Sequence, residues 1–302
     1  MNKIGYACMN RTLREANPAY RCNRGMQKQT FESRGSEYVS ELALKNFKDL
    51  LKILQWNVEK NIFFYRCSSN IIPWKTSIEV KKLKDYTKIC DVAKQCKKII
   101  TQNNMRFTFH PSHWCKLASK SAETRENSIE IIEKHADILN LLSLPETPYY
   151  SVNVHIGGHY SDKEKTAERF VNAYNKLTDR AQSHVTVEND DTESLWSVYE
   201  LAETIHERTN IPVVFDYHHH KFTSRNTSYK TGFKTASRTW PKHITPITHY
   251  SEAKRLHEQD TSINPVAHSD YVSQVPNWLQ NNSDVMVESK AKEKAVLNLK
   301  NN

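Results

Sequence analysis

What this 302-residue chain lacks narrows it first. No apolar run reaches ~18 residues, the length a membrane-spanning helix needs, and the opening MNKIGYACMN is too polar for a secretory signal. The six cysteines (Cys8, Cys22, Cys67, Cys90, Cys96, Cys115) contain no CxxC pair and no dense framework, which favours free thiols in a reducing compartment. A soluble intracellular protein is expected. Apolar residues make up only 38% of the chain, below the usual ~45–50%; that still fills one large core, beneath a very polar surface. There is no internal repeat and no glycine-rich phosphate turn, so a doubly wound sheet is the weaker α/β alternative.

Positive charge is what the chain has in excess. Lys and Arg number 43 against 34 Asp and Glu, giving a net charge of +9. Such a balance favours polyanionic partners, because Lys and Arg displace the counterions condensed on phosphates. Two stretches concentrate it. Residues 10–36 carry Arg11, Arg14, Arg21, Arg24, Lys28 and Arg34 against Glu15 and Glu32, and residues 218–239 carry Lys221, Arg225, Lys230, Lys234 and Arg238.

Short β-rich runs alternate with amphipathic segments. Strands are predicted at 3–8, 62–67, 105–110, 151–156, 184–188, 213–216, 244–249 and 284–288. Helical patterns fill 37–58, 78–102, 124–142, 162–181, 192–209 and 230–238, with 251–259 following the seventh strand. Eight strands alternating with helices predict an α/β fold, a single (β/α)₈ TIM barrel, for which roughly 250 residues suffice. The expected domain is 1–302, with the barrel over about 3–296, a short polar C-terminal tail, and the two basic stretches as long loops on the C-terminal face.

The strand ends carry the chemistry. The third ends at His110, the fourth at His155, the fifth at Glu188, the sixth at Asp216, the seventh at His249 and the eighth at Glu288. Side chains alternate faces along a strand, so Thr108 and His110, Asn153 and His155, Thr186 and Glu188, Val214 and Asp216, and Met286 and Glu288 share the inward face. Imidazole and carboxylate together suit Zn, Mn or Fe, and two or three ions would be needed to occupy so many ligands. Asp216 and His219 are spaced to serve adjacent ions, and His268 and Asp270 could help cap a third; His218 and His220 read as neighbours in a polar turn.

YRCSSNIIP (65–73), FHPSHW (109–114), VHIGGHY (154–160), VTVEND (185–190), VVFDYHHH (213–220), HYSEA (249–253), AHSDY (267–271) and DVMVESKAKEKA (284–295), with GYACMN at the start, resemble in order the motifs of the UV damage endonuclease family. That family shares its barrel and metal chemistry with apurinic-site nucleases of the endonuclease IV type. The resemblance implies a DNA-repair enzyme, a metal-dependent endodeoxyribonuclease that cuts 5′ of UV photoproducts, with abasic sites as a further substrate, using a hydroxide activated by metal. It implies three divalent ions, manganese first, with zinc, magnesium or cobalt as alternatives. His110, His155 and Glu188 would hold one ion; Glu188 would bridge to a second completed by Asp216, His249 and Glu288; His219 and His268 would hold the third. The catalytic carboxylates would be Glu188, Asp216 and Glu288. Tyr6 and Asn10 match positions that contact an extruded lesion, and His113 and Trp114 match a pair that fills the gap it leaves. Damaged double-stranded DNA is the implied partner of a monomer with no membrane and no obligate protein partner. Asn70 and Ile247 depart from the pattern: certain members carry a histidine at the first position and a modifiable lysine at the second.

Competing expectations are an apurinic-site endonuclease without photoproduct preference, a metal-dependent sugar isomerase on the same barrel, and a damage-binding module without catalysis. The isomerase leaves the basic stretches and Trp114 without a use, and the binding module leaves the convergent carboxylates without one.

Overall fold

The computed structural model describes residues 2–73, 78–158 and 160–301. Eight strands form one parallel sheet: β1 (Ile4–Ala7), β2 (Phe64–Arg66), β3 (Arg106–Thr108), β4 (Val152–Val154), β5 (Val185–Glu188), β6 (Val213–Asp216), β7 (Ile247–Tyr250) and β8 (Asp284–Val287). Each lies within or beside its predicted run. The order β3-β2-β1-β8-β7-β6-β5-β4 puts β3 and β4 at the two edges. A single bridge, Phe109 to Val152, spans the gap between them, with Phe109 N donating to Ser151 O at 2.8 Å and Asn153 N to Phe109 O at 2.9 Å. The sheet is therefore a nearly closed barrel.

Strand alternation divides the apolar residues into two cores. One set, including Tyr65, Phe107, Val152, Val154, Val185, Val187, Phe215 and Val285, packs outward against the helices. The alternate set points into the barrel, where Ala7, Phe64, Val214, Ile247 and Met286 form a separate buried cluster. β1 and β2 approach so closely that a Cβ on Gly5 would lie 1.9 Å from Phe64 O, which only glycine allows. The floor is closed by an ion pair, Arg106 Nη1 to Asp284 Oδ2 at 2.9 Å, with Arg106 also donating to Thr245 O and Tyr149 O.

Helices Lys28–Glu59, Tyr86–Gln102, Ala122–Leu141, Lys163–Tyr174, Tyr229–Arg238 and Glu293–Asn301 cover the outside. Three expectations change. The basic 218–239 stretch is mostly helix, Tyr217–Thr223 then Tyr229–Arg238, because Asp216 and Ser228 each cap the following turn. Residues 10–36 contain the short helix Arg11–Glu15 and the start of the helix Lys28–Glu59, which breaks at Gly35 (φ +63°). Residues 16–27 between those helices carry no helix or strand, so 10–36 is a long loop in part and 218–239 is not one. The helix Glu293–Asn301 extends into the segment expected as a polar tail and seats Leu297 and Leu299 against the outer core.

Candidate metal centre

All the inward strand-end residues meet at the C-terminal mouth of the barrel. Two groups of ligand atoms are each confined within 4.8 Å: His110, His155 and Glu188; and Glu188, Asp216 and His249. Glu188 belongs to both, and its side chain is buried. Glu188 Oε1 lies 2.9 Å from His110 Nε2 and 2.6 Å from His155 Nε2, while Oε2 faces His249 Nδ1. Glu288 joins the second group through Oε1, 3.3 Å from His249 Nδ1.

Partners behind these groups decide which ring nitrogen is left over. His110 Nδ1 lies 3.1 Å from Pro111 O, His155 Nδ1 2.9 Å from Asp190 Oδ1, and His219 Nδ1 2.9 Å from Asn189 O. A neutral imidazole that donates from Nδ1 has only a lone pair at Nε2. His110 thus presents an acceptor to Oε1 of Glu188, itself an acceptor, and His155 does the same when its Nδ1, in charge contact with Asp190 but without a hydrogen bond, carries the proton. Asp216 spends Oδ1 on the backbone N–H of His219 at 2.7 Å, and its own backbone is held by Asn189 in both directions, at 2.8 and 3.0 Å.

Lone pairs facing lone pairs need a cation between them. Glu188 Oε2, Asp216 Oδ2 and His249 Nδ1 are buried without a hydrogen bond, an arrangement that costs several kcal/mol unless a positive charge is supplied. Protonation is the metal-free answer. Burial disfavours charge on His155, yet Glu188 and Asp190 override it and hold the imidazole well above the usual histidine range. Burial likewise opposes charge on His249 and His219, and neighbouring carboxylates raise both. At His110 burial wins and the pKa falls. Burial also opposes charge on Glu188, but His249, His155 and His110 keep it ionised well below the carboxylate norm, whereas burial pushes Asp216 up. The residues present fit divalent ions bound through imidazole and carboxylate.

The remaining expected ligands lie one step outward. The rings of His219 and His268 are 6.2 Å apart, and His218 stands 5.5 Å from His268. His218 is buried, and burial with His268 nearby lowers its pKa to about 4, so it is a neutral ring beside the third pair and not a feature of a solvated turn. Asp270 is exposed. Ile247 occupies the apolar layer beneath His249, and Asn70 is exposed; neither offers a ligand. His159 of the motif at 154–160 lies outside the described residues.

The expected lesion contacts divide. Trp114 is 71% exposed, its ring 4.6 Å from that of His113, on the chain leaving β3; a core role for Trp114 is excluded. Tyr6 and Asn10 are 0% and 1% exposed. Tyr6 Oη donates to Asn57 Oδ1 at 2.8 Å and accepts from Asn10 Nδ2 at 2.9 Å, and Asn10 Oδ1 caps the helix Arg11–Glu15. Their polar atoms have partners within the scaffold, and through these bonds both residues also hold the end of β1. Alternation explains it: Gly5 and Ala7 face inward, and Tyr6 faces the helices.

Three residues at the mouth went unread. Arg66, inward at the end of β2, pairs with Glu288 Oε1 through Nη1, and Asn189 and Asp190 brace Asp216, His219 and His155. The signal for Arg66 was available, since Phe64 and Arg66 align with Arg106 and Thr108 in the parallel register. Among the basic residues, Arg24 is tied to Asp49 at 2.7 Å and Arg225 to Glu200 at 3.2 Å. These two hold the fold.

A parallel eight-stranded barrel whose mouth gathers imidazoles and carboxylates around one shared glutamate defines a TIM-barrel protein able to hold divalent metal. The chain belongs to the UV-endonuclease UvdE family, whose model matches residues 2–302. It is 32% identical over 308 residues to the UV-damage endonuclease of Schizosaccharomyces pombe (strain 972 / ATCC 24843), covering 98% of this chain and 50% of that protein. The chain thus spans half the length of that relative. The crystal structure of SacUVDE superposes with a TM-score of 0.83 at 26% identity, over 98% of this chain and 96% of the other. Endonuclease IV from Thermus thermophilus shares the fold alone, with a TM-score of 0.55 at 12% identity over 83% of this chain and 91% of that one. No helix among the described residues is long and apolar enough to cross a membrane.

Proposed function

We propose that this chain is a metal-dependent DNA-repair endonuclease that incises UV-damaged duplex DNA on the 5′ side of the lesion. The observation that carries the reading is Glu188, one buried carboxylate shared by two ligand groups, in a chain of the UvdE family. His110 and His155 would hold one ion with Glu188, and Asp216, His249 and Glu288 the second, while His219 and His268 serve a third. Bound divalent ions, manganese first among them, would supply Lewis acidity and a nucleophile from water at neutral pH. The protein's own share is positional. Asp190, Asn189 and Pro111 O fix which imidazole nitrogen faces inward, Arg66 holds Glu288 in place, and the surrounding apolar layers keep bulk water from the carboxylates.

Damage recognition falls to His113 and Trp114. An exposed indole beside an imidazole at the mouth can stack where a base has left the helix. That exposure favours a damage-directed enzyme over a sugar isomerase on the same barrel, which has no use for an aromatic pair projecting beyond its pocket. The barrel acts on damaged duplex as a monomer.

The test is incubation with UV-irradiated and undamaged plasmid, with and without manganese, alongside a duplex bearing one abasic site. Metal-dependent nicking confined to irradiated plasmid is expected, with a 3′-hydroxyl left at the cut. Nicking of abasic duplex with none on irradiated DNA would replace this reading with an apurinic-site endonuclease. Binding without cleavage in every metal would replace it with a damage-binding module.

A further inference from the structure

Between the ends of β1 and β8, on the rim of the mouth, lies a recess of about 330 Å³ lined by Met9, Arg11, Arg14, Glu15, Lys290 and Lys292. β1 ends at Ala7 and β8 at Val287, so both walls are chain that has just left the barrel on the metal side. Four cations face one carboxylate. That carboxylate, Glu15, is engaged by Lys294 at 2.7 Å and reaches Arg11 only at 3.8 Å. Arg14 Nη1 contacts the Met9 sulfur at 2.8 Å. Among the described residues Arg14, Lys290 and Lys292 have no ion-pair partner.

The walls are held in place by a residue outside the recess. Buried Glu293 accepts from the backbone N–H groups of Arg11 and Thr12 and from the Thr12 hydroxyl, at 2.8, 2.7 and 2.9 Å. This clamps the helix Arg11–Glu15 onto the helix Glu293–Asn301 without drawing on the arginine side chains. Lys292 stands at φ +57°, a conformation few non-glycine residues adopt and one that usually persists only where the surroundings enforce it. Four like charges gathered by a rigid frame around a single carboxylate, itself engaged by Lys294, call for an anion. The lining has no aromatic ring to stack on a base and no Asn or Gln to read one.

We propose that this recess is a phosphate subsite that takes a backbone phosphodiester of duplex DNA beside the metal mouth, fixing the register of the strand without reading its sequence. The assignment rests on the nuclease reading above and specifies where that enzyme grips its substrate. The test uses metal-loaded, full-length protein carrying Lys290→Gln with Lys292→Gln, a separate Arg14→Gln variant, and Lys97→Gln with Lys98→Gln as a charge-matched control on a helix leading to the barrel floor. Binding to an unirradiated duplex oligonucleotide is followed by anisotropy across a salt series, bound metal is counted, and KM and kcat are measured on the irradiated duplex. The slope of log affinity against log salt should shrink by about 0.9, the share of one phosphate, in the double-lysine variant, and by up to about 0.9 in Arg14→Gln. Metal content and kcat should hold while KM rises, as expected when uniform binding is lost. Wild-type slopes in both variants, or equal shrinkage in the control, would overturn the subsite; a fall in bound metal would overturn it by moving the lysines into the metal centre. Duplex binding with these slopes but no incision would leave the subsite standing and sink the nuclease reading. A wild-type protein that binds no duplex would sink both.

Discussion

The two ends of this barrel handle buried charge in opposite ways. At the floor, Arg106 and Asp284 face each other at 2.9 Å, 0% and 1% exposed, under a lid of Tyr149 and Trp240 rings 4.7 and 5.3 Å from the guanidinium. Every full charge there has a counter-charge supplied by the chain, and one donor, Arg106 Nη2, is left without a hydrogen bond. At the mouth, Glu188, Asp216 and His249 keep buried atoms without hydrogen bonds. Two runs serve both ends: Arg106 stands four residues before His110, and Asp284 four residues before Glu288. The difference is one of purpose: the floor spends its electrostatics within the fold, and the mouth withholds them for a ligand.

The sharpest way to break this contrast is at the floor. Arg106→Met leaves buried Asp284 with only Lys3, its Nζ 3.9 Å away and its backbone N–H donating at 2.7 Å, which should cost up to ~3–5 kcal/mol and appear as a drop in denaturation midpoint, with normal activity in whatever fraction stays folded. If the variant is as stable as wild type, the floor pair carries no structural load. Glu188→Gln should do the reverse, keeping the fold while lowering incision by more than the ~10–100-fold typical of residues behind the ligands. Retention of more than about a tenth of wild-type turnover in saturating manganese would refute the shared-ligand role.

Adding the metal itself is the next test. Manganese at about a hundred times its dissociation constant should stabilise the folded chain by ~2.7 kcal/mol, read as a higher melting temperature that chelation reverses. A flat melting temperature would mean that the mouth satisfies itself with protons. Trp114→Ala should weaken binding to a photoproduct duplex roughly 5- to 150-fold, the ~1–3 kcal/mol of one aromatic–base stack, with intact duplex and metal content nearly unchanged. Equal losses on both duplexes would make the indole a general contact. His113→Gln is expected to alter binding least, within about twofold on this scale, and a loss as large as that of Trp114→Ala would show that the imidazole stacks in its own right.

The period-two pattern made much of this legible. RFTFH, SVNVH, HVTVE, VVFD and VMVE each place an imidazole or carboxylate in phase with small or polar inward residues, and the structure keeps that phase in every case. The same rule places Tyr6 against the helices and Arg66 in the mouth, but a lone arginine in a short strand invites a reading that ignores parity. Basic composition was the weaker guide. Charge density in 10–36 and 218–239 does not reveal that Arg24 and Arg225 fold back onto Asp49 and Glu200, because those partners are distant in sequence or belong to another helix. Asp190 was hidden for a related reason: its role depends on His155, from a different strand.

The seam between β3 and β4 has a mechanical consequence. These edge strands share one bridge, at Phe109 and Val152, and His110 and His155 stand directly beyond it on opposite sides of the join. An ion gripped by both imidazoles is therefore a clasp on the thinnest part of the wall, so loading the mouth should stiffen the barrel where its own hydrogen bonding is sparsest. The amides of Phe109 and Asn153, which make the seam bonds, are expected to exchange with solvent faster than those of β7 and β8 in metal-free protein, and to slow most when metal is restored.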